Sequence, residues 1–251
     1  MVKNLIVFDL DGTLAESKSE MDSEMSLLLQ ELLKIKSVAV MSGGKYQQFQ
    51  KQFLKSLNCE EHLLKKLFLF PTCATQFYKY EDDWIKVYSE ELSKEEKEKI
   101  INSFHKVFKD INYQMPKEIH GEMLEDRLSQ ITFSALGQQA PIKEKKNWDP
   151  QQTKRKKITK ALTNYLPEME IKIGGTTSID VTKKGIDKAY GIRQIEKYLK
   201  FKKQEMLFIG DALYKGGNDE PVKKEGVDCI AIKTLEDTKQ IIKSIIENQI
   251  I

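Results

Sequence analysis

A short apolar strand that ends in two carboxylates constrains this chain more than any other feature. Leu5-Ile6-Val7-Phe8 reads as a strand buried on both faces, and it runs straight into Asp9, Asp11 and Gly12-Thr13. Carboxylates this close together at the tip of a buried strand repel each other and lose hydration, so a fold keeps them only with a compensating cation. Mg²⁺ beside a phosphate is the natural compensation. That hard cation takes one or two carboxylates and leaves its other positions to water and phosphate oxygens.

The rest of the chain repeats the strand-then-polar-tip pattern. Asp22 to Ile35 carries Met25, Leu28, Leu29, Leu32 and Leu33 at helical spacing, with Asp22 or Ser23 as the cap. A second apolar strand, Ser37 to Met41, is stopped by Ser42-Gly43-Gly44, which can offer a hydroxyl and bare backbone N–H groups to a phosphate. Tyr46 to Leu57 reads as a helix and Leu67 to Phe70 as a third strand. Near the other end, Glu205 to Ile209 is a strand that delivers Gly210-Asp211, followed by Gly216-Gly217-Asn218-Asp219. Gly226 to Ile232 and Leu235 to Ile251 read as a final strand and helix.

Between these β/α stretches the pattern changes. Gln76 to Tyr88 alternates around the acidic turn Glu81-Asp82-Asp83 as a hairpin would, and Ser93 with Glu96 has capping-box spacing ahead of a helix to Asp110. Arg127 to Ala135 then reads as a strand, Pro150 to Leu162 as a helix, and Glu170 to Val181 as two strands around Gly174-Gly175. The reading is an α/β protein whose parallel-sheet core, residues 1–76 and 186–251, is interrupted by an inserted α+β domain at 77–185. A length of 251 residues suits a core with one insertion.

Composition excludes several classes. The net charge of +3, from 41 basic and 38 acidic residues, leaves no nucleic-acid footprint, and Lys154-Arg155-Lys156-Lys157 reads as a solvated helix face. Cys59, Cys73 and Cys229 are widely spaced and form no zinc pattern, as suits a reducing cytoplasm. The N-terminal apolar run is too short for a signal-peptide core, and no stretch approaches a membrane span. A cytoplasmic protein with neither nucleic acid nor membrane as partner is expected.

Asp9-Leu10-Asp11-Gly12-Thr13 resembles the nucleophile loop of the haloacid dehalogenase (HAD) superfamily of aspartate-based phosphatases and phosphomutases. The resemblance implies a Rossmann-like core in which Asp9 attacks phosphorus and Asp11 serves as general acid and base. It makes Ser42, with Gly43, the phosphate ligand of the second motif. Lys188, in Lys183-Lys184-Gly185-Ile186-Asp187-Lys188, becomes the lysine of the third, with Lys183 and Lys184 as competitors. Asp211 would complete a Mg²⁺ shell with Asp9 and the backbone carbonyl of Asp11, while Asp219 or Asn218 holds a metal water or orients the phosphate.

The long loop that ends Gly-Gly-Asn-Asp resembles the eukaryotic phosphomannomutase-like branch, whose αβ cap is inserted after the third core strand. In that branch Gly174 to Val181 would place Ser178 and Asp180 on the sugar, and Arg127 would be a cap arginine gripping the distal phosphate. A homodimer joined through the cap is compatible with the same resemblance. Three departures matter. Gln138 and Lys145 stand where two further cap arginines are expected, and Lys18 where another would follow the nucleophile loop. An amide cannot neutralise phosphate and lysine lacks the planar fork, so each loss weakens distal-phosphate binding by roughly 1.5–3 kcal/mol. The expected function is therefore a Mg²⁺-dependent phosphatase for a small phosphorylated metabolite, a sugar phosphate, with phosphomannomutase activity as the alternative. A catalytically silent binding module is disfavoured by intact Asp9, Asp11, Lys188 and Asp211.

Overall fold

The computed structural model describes residues 2–17 and 19–247. Two compact units emerge. Residues up to Ser89 together with those from Asp187 onward form one, and Glu90–Ile186 forms the other.

The first unit is built on a seven-stranded sheet. Its strands are β1 (Leu5–Asp9), β2 (Ser37–Met41), β3 (Leu67–Phe70), β4 (Gln76–Tyr80) and β5 (Trp84–Ser89). Far along the chain β10 (Met206–Gly210) and β11 (Asp228–Ala231) join them, giving the order β11-β10-β1-β2-β3-β4-β5. The five strands from β11 to β3 run parallel, and β4 and β5 add an antiparallel edge. Both faces are covered, as the continuous apolar run of β1 requires. Ile6 and Phe8 pack with Met25, Leu29 and Ile242, on the side of helices Ser23–Ile35 and Leu235–Ile246. Leu5 and Val7 pack on the other side with Ile192 and Ile195 of helix Lys188–Leu199. Asp22 caps the Ser23–Ile35 helix by accepting from the Met25 N–H at 2.9 Å.

The hairpin that the sequence assigns to the insertion belongs to this sheet instead. β4 pairs with β3 through Phe68↔Lys79 and Leu69↔Tyr78. Phe77 stacks on Phe70, with ring centroids 4.7 Å apart, and Tyr78 on Tyr46 at 3.9 Å. The second unit accordingly begins at Glu90 rather than near Phe77.

That second unit carries an antiparallel sheet of β6 (Leu124–Asp126), β7 (Ile131–Ser134), β8 (Met169–Gly174) and β9 (Ser178–Lys183), ordered β6-β7-β9-β8. Ile131, Phe133, Ile179 and Val181 pack into an apolar core with Phe104 and Val107 of helix Lys94–Asp110 and Ile158 and Leu162 of helix Thr153–Tyr165. Ser93 and Glu96 close the expected capping box. The long strand read at Arg127 to Ala135 begins only at Ile131. Leu128 lies at φ +68°, and the Arg127–Gln130 segment is a tight turn joining β6 to β7. No helix of the described residues is long and apolar enough to cross a membrane.

Candidate active site

Parallel strands deliver their polar tips to one edge. With Phe8 in register with Ile209 and Asp9 with Met41, the carboxyl ends of β1, β2 and β10 place Asp9, Ser42 and the Gly210-Asp211 step side by side. Ligands of open α/β sheets bind outside this edge.

Lys188 is the centre of the charge arrangement. Its helix starts where the Asp187 side chain accepts from the Tyr190 N–H at 2.9 Å, and the ammonium group then reaches both Asp9 and Asp219 in hydrogen-bonded ion pairs. All three side chains are buried. The competing lysines go elsewhere: Lys183 lies 3.9 Å from Glu96, and Lys184 donates to the Pro167 carbonyl.

Asp219 is fixed by its own loop. Its Oδ2 accepts from the Ala212 N–H at 3.0 Å, and its N–H donates to the Ala212 carbonyl at 3.3 Å. Gly217 lies so close under that turn that a Cβ there would sit 1.9 Å from the Ala212 carbonyl oxygen. Opposite, the Asp9–Thr13 loop turns through Gly12 at φ +86°, where a Cβ would come within 2.5 Å of Asp211 Oδ2.

Oxygens of Asp9, Asp211 and Asp219 all fall within 4.8 Å of one another. Burial drives the Asp9 carboxyl well above its ordinary range. Lys188 opposes that shift, and the charges of Asp219 and Asp211 add to it. Loss of hydration and then the Asp219 charge push Asp211 up to about 6. Burial works against charge on Lys188, but Asp219 and Asp9 together outweigh it and hold the ammonium above its ordinary range. Three carboxylates thus stand together with one ammonium, which pairs with two of them, leaving an excess of negative charge with hard oxygen donors. A divalent cation such as Mg²⁺ fits that donor set.

Asp11 does not join this cluster through its side chain. Its carboxylate accepts from the Ser42 hydroxyl at 3.1 Å and from the Gln52 amide at 3.1 Å. Ser42 Oγ in turn accepts from the Gly44 N–H at 3.0 Å. The Ser42–Gly44 loop, which includes Gly43, is pinned by a neighbouring left-handed turn. The Thr72 N–H donates to the Gly44 carbonyl and the Cys73 N–H to the Ser42 carbonyl, with Thr72, Cys73 and Ala74 at φ +51°, +56° and +63°. Asn218 is half-buried in the loop that ends at Asp219. Sequence reasoning missed Gln52; the available signal was an amide on the same helical face as Phe49 and Phe53.

In the second unit the register Thr132↔Asp180 and Ser134↔Ser178 sets a polar face on the sheet, opposite its apolar core. Asp180 Oδ1 accepts from the Gln130 amide and the Thr132 hydroxyl, each at 2.8 Å, and Ser178 shares a hydrogen bond with Ser134. Arg127 is buried and its Nε donates to Glu125 at 2.8 Å. Lys145 is also buried, with Nζ donating to the Gln138 main-chain carbonyl at 3.1 Å. Lys18 lies outside the described residues.

A family model describing eukaryotic phosphomannomutase matches residues 25–248. The chain is 27% identical over 248 residues to a phosphomannomutase of Encephalitozoon cuniculi, covering 94% of this chain and 91% of that one. It is 28% identical over 224 residues to one of Schizosaccharomyces pombe, covering 86% and 84%. Among solved structures, a truncated IMP-nucleotidase of Plasmodium falciparum superposes with a TM-score of 0.74 at 19% identity, over 99% of this chain and 71% of that one. A haloacid dehalogenase-like hydrolase of Bacteroides thetaiotaomicron gives 0.61 at 17%, over 98% and 100%. These two likenesses speak to the fold.

Proposed function

The chain belongs to the eukaryotic phosphomannomutase family, a branch of the haloacid dehalogenase superfamily, and from that premise we propose that it moves a phosphoryl group between positions of a hexose phosphate through Asp9. The observation that carries the chemistry is Lys188 bridging Asp9 and Asp219 beside Asp211 at the carboxyl edge of the sheet. Such an ammonium offsets the repulsion between a carboxylate nucleophile and an incoming phosphate dianion.

In the proposed sequence an Asp9 oxygen bonds to phosphorus as the bond from phosphorus to the sugar oxygen breaks. The leaving oxygen takes a proton from Asp11, and an acyl phosphate remains on Asp9. In reverse, Asp11 accepts the proton of the attacking sugar hydroxyl while the phosphoryl group passes from Asp9 to that oxygen. Ser42 and the backbone N–H groups around Gly43 hold the phosphoryl oxygens, with Asn218 nearby. Asp9 and Asp211, with the main-chain carbonyl of Asp11, would hold Mg²⁺, and Asp219 would steady that shell through Lys188. Bound there, the ion supplies positive charge that polarises the phosphoryl oxygens. Arg127, Ser178 and Asp180 are the proposed sugar-phosphate contacts of the second unit, which serves as the cap.

Hydrolysis is the second reading, favoured by Gln138 and Lys145 in place of arginines. With Lys145 drawn onto the Gln138 carbonyl, the grip on a distal phosphate is weaker and water competes for the phosphoenzyme. The test is to incubate mannose 1-phosphate with Mg²⁺ and a hexose bisphosphate primer and follow mannose 6-phosphate and inorganic phosphate together. The mutase reading expects isomerisation to outrun phosphate release. Release without isomerisation overturns it in favour of a phosphatase.

A further inference from the structure

Gln52 touches the proposed proton-transfer group, yet no motif contains it. It sits in a wide π-turn, Gln50–Leu54, inside the helical run that follows the Ser42 loop, and it is 3% exposed. Single π-turns inside helices are rare and frequent at functional sites. Its side-chain amide nitrogen donates to Asp11 Oδ1 at 3.1 Å and to the Glu16 main-chain carbonyl at 3.3 Å, and its main-chain carbonyl accepts from the Met21 N–H at 2.8 Å. One residue therefore clips both the Asp11 side chain and the segment leading from it to the first helix. The amide orientation follows from the partners: a carboxylate and a carbonyl both only accept, so the NH₂ group must face them.

We propose that Gln52 is a positioning residue that fixes Asp11 for proton transfer. An aspartate side chain turns about two bonds, and proton transfer needs it within hydrogen-bond reach of the sugar oxygen. Ser42 contacts Oδ2 and Gln52 contacts Oδ1, so the two donors together set the plane of the carboxyl group. The two donors also differ. A hydroxyl can reverse its hydrogen bond, whereas an amide N–H only donates, so Oδ1 stays the acceptor and Oδ2, toward Ser42, is the oxygen that passes the proton. The inference rests on the assignment of Asp9 and Asp11 made above.

The test uses the full chain with Mg²⁺, the variants Gln52→Ala and the near-isosteric Gln52→Met, and Asp11→Asn as reference. Two probes differ in what their leaving group needs. Mannose 6-phosphate expels an alkoxide that requires a proton, and 4-nitrophenyl phosphate expels a phenolate that does not. With the sugar phosphate, both Gln52 variants are expected to lower kcat about 10–100-fold while KM moves less than about threefold. The burst of 4-nitrophenol from the same variants should fall less than about threefold, and Asp11→Asn should show the same contrast in stronger form. A general packing defect would lower both reactions alike. If Asp11→Asn shows the contrast and neither Gln52 variant does, or if both probes fall equally in them, Gln52 does not position Asp11. If Asp11→Asn lacks the contrast, the role of Asp11 itself is wrong and this inference falls with it.

Discussion

Replacing Lys188 by methionine tests the charge arrangement in a way that needs no substrate. The side chain is 4% exposed and its ammonium serves two buried carboxylates, Asp9 and Asp219. Methionine keeps the volume and removes the charge. Breaking a buried pair by deleting one partner leaves uncompensated charge and costs about 3–5 kcal/mol. For a chain of this size each kcal/mol lowers Tm by about 2–4 °C, so the Lys188→Met protein should melt about 6–20 °C lower. Part of that cost is repulsion between the two carboxylates left behind. Adding Asp219→Asn should therefore recover about 1–2 kcal/mol relative to Lys188→Met alone. Urea unfolding of the parent, both single variants and the double variant closes the cycle. A Lys188→Met protein within about 1 kcal/mol of the parent would refute the buried-pair reasoning. So would a double variant whose loss equals the sum of the singles.

Two further outcomes follow from other parts of the molecule. Glu24 accepts hydrogen bonds from Lys239 and then Lys243, which lower its carboxyl from 4.5 to about 2. A carboxyl lowered on folding adds stability above pH 4.5 that disappears as pH falls toward 2. The stability gap between parent and Glu24→Gln should thus narrow across that window; a gap independent of pH would contradict the pairing. Gly217→Ala places a methyl group 1.9 Å from the Ala212 carbonyl oxygen, so the Asp211–Asp219 loop must shift. A loss of about 1–3 kcal/mol on unfolding and a weaker Mg²⁺-induced rise in Tm are expected, and an unchanged response to Mg²⁺ would show that the loop tolerates the clash.

What the sequence disclosed was what is local in it. The apolar run before Asp9, the Ser42-Gly43-Gly44 stop and the Gly210-Asp211 step are short patterns whose positions in a parallel sheet follow from strand order, and they lie together at one edge. The alternation of Gln76 to Tyr88 announced a hairpin but could not say which sheet would take it. Pairing of β4 with β3 and the stacking of Phe77 on Phe70 decided that. Helix Ile142–Trp148 was invisible because its inward position is Lys145, a buried charge satisfied by the Gln138 carbonyl rather than an apolar stripe. The left-handed turn through Thr72, Cys73 and Ala74 uses no glycine, so no residue type marked it. Gln52 reaches Asp11 from within the π-turn, and an amide on the face of Phe49 and Phe53 carries no mark of its partner in the sequence.

The central claim is that phosphoryl transfer passes through Asp9. It is tested most directly by quenching the Mg²⁺-loaded enzyme in acid during turnover of a hexose bisphosphate and mapping the phosphorylated peptide by mass spectrometry. The account predicts a hydroxylamine-labile phosphoryl group on Asp9 that is absent from Asp9→Asn. A phosphoryl group on any other residue, or full turnover by Asp9→Asn, would contradict it.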